Sequence, residues 1–142
     1  ALVALVAAGC GSSSPSPSGA SQTVNDGGTF DAAGHPRVAV TASDFRFSPS
    51  TIEGTPGEVL TLVVSNSSGT EHNVTQKAQD VDVDLADGST KTFQLTVPSS
   101  GRLVFVCEYH ASRGMAGSVG VTGAPLPSSA ASSTATEDSN PY

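Results

Sequence analysis

The sequence predicts an all-β protein, a Greek-key β-sandwich with disordered N- and C-terminal segments, and three observations carry that reading. Apolar residues recur with period two in six short stretches, and helical spacing holds nowhere over a useful length. Turn-forming Gly, Pro, Asp and Ser clusters separate those stretches. Of 142 residues, 15 are Gly, 9 are Pro, none is Trp and only 13% are charged, which suits many strands and corners and argues against long helices.

Taken in order, Arg37 to Ala42 alternates on Val38 and Val40. Val59 to Ser65 is apolar on both faces, with Leu60, Leu62 and Val64 opposing Val59 and Val63, which marks an interior strand. Val81, Val83 and Leu85 interleave with Asp80, Asp82 and Asp84, so this strand is half-exposed. Thr90 to Val97, Leu103 to Cys107 and Ser118 to Thr122 complete the set. The corners are Thr55-Pro56-Gly57, Ser67-Ser68-Gly69, Asp87-Gly88 and Pro98-Ser99-Ser100-Gly101. Phe45, Phe47, Ile52 and Phe105 are the expected bulk of the core.

A chain of this length holds one ordinary domain. That domain is placed at 36–122, which carries all the Lys and Arg. Residues 11–21, Gly-Ser-Ser-Ser-Pro-Ser-Pro-Ser-Gly-Ala-Ser, lack apolar periodicity and extend a flexible linker across 10–35, and the Ser/Ala/Thr-rich 123–142 reads as a disordered tail. Residues 1–9 are small or apolar, the expected remnant of a truncated signal peptide. Val6-Ala7-Ala8-Gly9-Cys10 resembles the end of a bacterial lipoprotein signal, with Ala7 where Leu is customary. That resemblance implies lipidation of Cys10, with ordinary signal-peptide cleavage as the alternative. The formal charge of −7 has the wrong sign for a phosphate-backbone binder, so no nucleic-acid partner is expected.

Chemistry concentrates where the fifth stretch ends, in Cys107-Glu108-Tyr109-His110-Ala111-Ser112-Arg113-Gly114-Met115, a C-x2-H-x4-M pattern. Thiolate, imidazole and thioether from one loop form a soft donor set suited to copper, and a second imidazole would complete a two-His-one-Cys site with a weak axial Met. His72 is the candidate, just past the turn that follows the long apolar strand, where the chain crosses between sheets. With three His and one Met in the chain, chance puts both at these offsets about once in 7,000 sequences. Taken singly, Cys107 reads equally well as a buried strand-end thiol, Met115 as a gap filler and the histidines as surface residues. His35, in Gly34-His35-Pro36, has no partner pattern.

With these residues in place the chain resembles the plastocyanin/azurin-like small blue-copper proteins, the cupredoxins. The resemblance runs from Val38 to Val121 and includes Ala42 to Pro49, Thr55-Pro56-Gly57-Glu58, Glu71-His72-Asn73-Val74 and Gly114-Met115-Ala116-Gly117. It implies that His72, Cys107, His110 and Met115 bind one copper ion and that Asn73 braces the Cys loop. Glu108-Tyr109 departs from the family, where a small residue and Pro are usual.

Four side-chain ligands leave no open position for a substrate, so no enzymatic chemistry is expected. The expected function is one-electron transfer outside the cytoplasm, by a monomer anchored to the membrane through Cys10 and serving redox partner proteins. The alternative is an extracytoplasmic copper carrier or buffer. A binuclear oxidase site needs two Cys in its loop, and multicopper oxidases need paired histidines, so both are excluded.

Overall fold

The computed structural model describes residues 24–126. Ten strands form two facing sheets. The strands are β1 Thr29–Asp31, β2 Arg37–Ser43, β3 Arg46–Ser48, β4 Thr51–Gly54, β5 Val59–Asn66, β6 His72–Gln76, β7 Val81–Leu85, β8 Thr90–Thr96, β9 Arg102–Val106 and β10 Ala116–Val121. The larger sheet has the order β1-β4-β10-β9-β6-β7 and the smaller β3-β2-β5-β8. β4 runs parallel to both β1 and β10, and β2 runs parallel to β5. The remaining pairs are antiparallel. Among the described residues no helix is long and apolar enough to cross a membrane.

The strongest sequence patterns give the most regular strands. β5 is interior, between β2 and β8, and buries Leu60, Leu62 and Val64 against the opposite sheet. The core lies between the sheets, where Phe47 and Phe105 meet edge to face with ring centroids 5.1 Å apart. Ile52, Leu85, Leu95 and Val119 pack in the same core. Gly117 faces this cluster, and a Cβ there would overlap the Phe105 ring and approach Ser50 O at 2.8 Å. Only glycine lets β10 pass so close to β9.

Three expectations are corrected. The linker placed at 10–35 gives way to ordered chain well before Pro36: β1 pairs with β4, and Ala32 is fully buried. Backbone hydrogen bonds and a few side-chain caps hold this segment, so it shows no apolar alternation; all three β1 residues are exposed. At the other end, Ala124 N donates to Val121 O and Ala124 O accepts from Arg102 Nε, so the fold reaches past 122. Phe45 is half-buried rather than part of the core, because it sits in the β2–β3 turn at the pole of the sandwich. The expected signal remnant 1–9, Cys10, the linker as far as 23 and the tail from 127 lie outside the described residues.

Candidate metal centre

The site occupies the pole where β5 hands the chain to β6 and where β9 ends. β9 delivers Cys107 one residue past its last paired position, and the loop that follows is closed at its base by Cys107 N donating to Met115 O at 3.0 Å. Inside it, His110 N donates to Cys107 O at 3.1 Å, and a single 3-10 turn spans Ala111–Arg113. That turn ends in Gly114 at φ 80°, a left-handed conformation glycine adopts without strain. The turn reverses the chain so that Met115, fully buried, returns beside Cys107.

His72 opens β6 and is 1% exposed. Its Nδ1 lies 3.1 Å from His110 Nδ1 and 3.9 Å from Cys107 Sγ, and His110 Nδ1 lies 3.4 Å from the same sulfur. All three donor atoms fall within 4.8 Å of one another. A buried thiol and two imidazole nitrogens converging on one point, with a buried thioether in the same loop, fit copper by softness and by number. A zinc site would not use Met.

The hydrogen bonds around His72 favour one tautomer. Asn66 Nδ2 is committed to Thr70 O at 2.7 Å and Leu85 O at 2.8 Å, so Asn66 Oδ1 faces Ser68 and accepts from its hydroxyl at 2.8 Å. With its hydroxyl proton on Asn66 Oδ1, Ser68 Oγ offers a lone pair to His72 Nε2, 3.0 Å away, an arrangement that matches the tautomer protonated at Nε2. That tautomer leaves an Nδ1 lone pair facing Cys107 and His110. Burial first, and the neighbouring His110 second, hold the His72 pKa below its ordinary value, which favours the neutral ring a metal requires.

Asn73 bridges the two halves of the site. Its N–H points at Cys107 Sγ from 3.4 Å, and its Oδ1 accepts from Glu108 N at 2.7 Å. Donors aimed at a ligand sulfur and braces on its loop tune a metal centre. The Phe45 ring packs 4.8 Å from the His110 ring, centroid to centroid, with the Arg113 guanidinium 4.4 Å above its face. On the outer side, Tyr109 OH donates to Asp84 Oδ1 at 2.8 Å, and this bond, with the carboxylates around it, pushes the phenol pKa up to about 12. The Glu108–Lys77 pair, 3.8 Å apart and solvent-exposed, contributes little.

The structure thus brings His72, Cys107 and His110 together, places Asn73 between them and returns Met115 to the base of the loop. His35 is exposed and does not join the clustered donors, and Cys107 is a free buried thiol. Sequence reasoning did not single out Ser68, Asn66 or Phe45 as parts of the site. The Ser67-Ser68-Gly69 corner, read only as a turn, carried the one available signal.

The chain matches the Cupredoxin-like domain family over residues 2–119 and belongs to that family. Plastocyanin of Daucus carota is 35% identical over 86 residues, covering 54% of this chain and 87% of that protein. Among solved structures, dithionite-reduced auracyanin from Roseiflexus castenholzii superposes with a TM-score of 0.52 at 18% identity, covering 63% of this chain and 98% of that one. Auracyanin B gives 0.52 at 17% identity, covering 73% and 96%. The copper(I)-bound metal-binding domain of a Cu(I)-exporting P-type ATPase of Streptococcus pneumoniae gives 0.50 at 16%, covering 60% and 83%. At these identities the superpositions speak to the fold. Copper is the cofactor that the family and this donor set share.

Proposed function

We propose that this chain is a one-electron carrier whose type 1 copper is held by His72, Cys107, His110 and Met115. The observation that supports this best is the convergence of two imidazole Nδ1 atoms and a buried thiol within 4.8 Å, in a loop that also returns a buried Met. When bound, copper supplies a Cu(I)/Cu(II) couple, and a trigonal thiolate-imidazole set with a weak thioether suits both oxidation states. The protein's part is rigidity. The Cys107–Met115 backbone bond fixes the loop, Ser68 fixes the His72 ring, and Asn73 ties the loop to β6. Donors that do not move between oxidation states make transfer fast. The partners are redox proteins outside the cytoplasm, reached from a membrane anchor at Cys10.

Adding Cu(II) to the purified protein tests the reading. An intense blue thiolate-to-copper band at about one copper per chain is expected, lost in Cys107→Ser with the fold retained. Colourless protein at full occupancy overturns it. Rapid exchange of copper with a chelator and no reversible couple would instead mark a copper carrier.

A further inference from the structure

Asn25 lies upstream of β1, far in sequence from every ligand, yet three of its hydrogen bonds end at the metal pole. Its N–H donates to Gly114 O at 3.0 Å. Its Nδ2 donates to Arg113 O at 2.9 Å and to Phe45 O at 2.8 Å. The first two acceptors lie in the ligand loop between His110 and Met115. The third belongs to the residue whose ring packs on His110. We propose that Asn25 is a positioning residue, a clamp that locks the ligand loop to the β2–β3 turn and so fixes His110 from both sides.

Two further observations support the clamp. Asp44 and Phe45 stand at φ 48° and 57°, left-handed conformations that a bulky residue such as Phe avoids. Such backbone persists where its surroundings over-determine it, and the Asn25 bond to Phe45 O is one of those determinants. The segment carrying Asn25 is also fastened independently. Gly27 N donates to Ser50 Oγ at 2.8 Å, Ser48 Oγ donates to Gly27 O at 2.9 Å, and Ser50 N and Thr51 N both donate to Gly28 O at 3.0 Å. A Cβ at Gly27 would overlap Phe47 O, so the strap lies flat on β3. Asn25 therefore pulls on the loop from a fixed base. The second readout below rests on the copper assignment, whereas the first does not.

The test uses the full chain with Asn25→Ala and Asn25→Asp, which keeps the size but turns the donor into an acceptor, and with Ser48→Ala, which loosens the same strap away from the loop. In the metal-free protein, amide hydrogen exchange at Arg113, Gly114 and Met115 should accelerate about fivefold or more in both Asn25 variants, as expected for losing hydrogen bonds of ordinary strength. Exchange at Leu60 and Leu62 should stay at the wild-type rate, which also verifies folding. In copper-loaded protein, loss of Cu(I) to a chelator should rise about fivefold to tenfold in Asn25→Ala and stay near wild type in Ser48→Ala. Loop amides exchanging at the wild-type rate in both Asn25 variants, or an equal acceleration in Ser48→Ala, overturn the clamp. Faster loop exchange in protein that never takes up copper upholds the clamp and overturns the copper assignment.

Discussion

Ser68 Oγ stands 3.0 Å from His72 Nε2, on the side of the ring turned away from Cys107. With the Ser68 hydroxyl proton directed at Asn66 Oδ1, the serine is placed to accept from the ring, the arrangement in which His72 presents a lone pair to the metal pole. A turn residue thereby orients the ring of a proposed ligand, and Asn66, at the last position of β5, anchors that turn through Thr70 O and Leu85 O.

Replacing Ser68 with Ala removes the acceptor without disturbing a strand. Copper affinity, measured by chelator competition, should fall about tenfold, the usual scale for losing a partner of a metal-bound His. Far-UV spectra should not change. Wild-type affinity in Ser68→Ala would show that packing alone orients the ring.

Asn73→Val keeps the N–H directed at Cys107 Sγ but leaves Glu108 N–H without its 2.7 Å partner. Urea unfolding of the metal-free protein should show a loss of about 1–3 kcal/mol, the cost of an orphaned, partly buried donor. The blue band of loaded protein should persist at a shifted reduction potential. An unchanged unfolding midpoint would mean that Asn73 is not the brace.

The six alternating stretches became β2, β5, β7, β8, β9 and β10 with no end shifted by more than two residues, because apolar periodicity records a buried face directly. β6 was illegible for the opposite reason. All five of its residues, His72 to Gln76, are buried, yet four are polar. Their burial is satisfied by specific bonds, Asn73 to Glu108, Thr75 Oγ1 to Asp82 and Gln76 Nε2 to Val104 O, which no local pattern encodes. β1, β3 and β4 are three or four residues long, too short to show a period. The C-x2-H-x4-M loop could be read because the donors are close in sequence. Phe45, Ser68 and Asn25 reach the site only through the fold.

The lowered His72 pKa has a definite sign in the metal-free protein. Its folded pKa lies below the unfolded value of about 6.5, so the unfolded chain binds the proton more readily. The group's contribution to stability is present above pH 6.5 and is lost as the pH falls from there through the folded pKa. Unfolding midpoints of metal-free protein should therefore drop below pH 6.5, and Ser68→Ala should leave this dependence in place, because burial is its first cause. A flat profile from pH 7 to 5 would show that His72 is protonated freely in the folded state.

Electrons should enter through His110, which is partly exposed and followed by Ala111, an exposed small residue at the start of the 3-10 turn. Beside this patch the Tyr109–Asp84 bond draws the acidic edge of β7 toward the ligand loop, with Asp82 exposed on the same strand. Proximity and charge make different predictions for transfer to a small cationic redox complex. Ala111→Lys lengthens the approach to the imidazole and should slow transfer at every ionic strength. Asp82→Asn with Asp84→Asn removes only attraction, so it should slow transfer at low salt and lose its effect above about 0.1 M, where the Debye length is about 10 Å. Stopped-flow rates across that range separate the two contributions, and a wild-type rate in Ala111→Lys at high salt would place the port elsewhere.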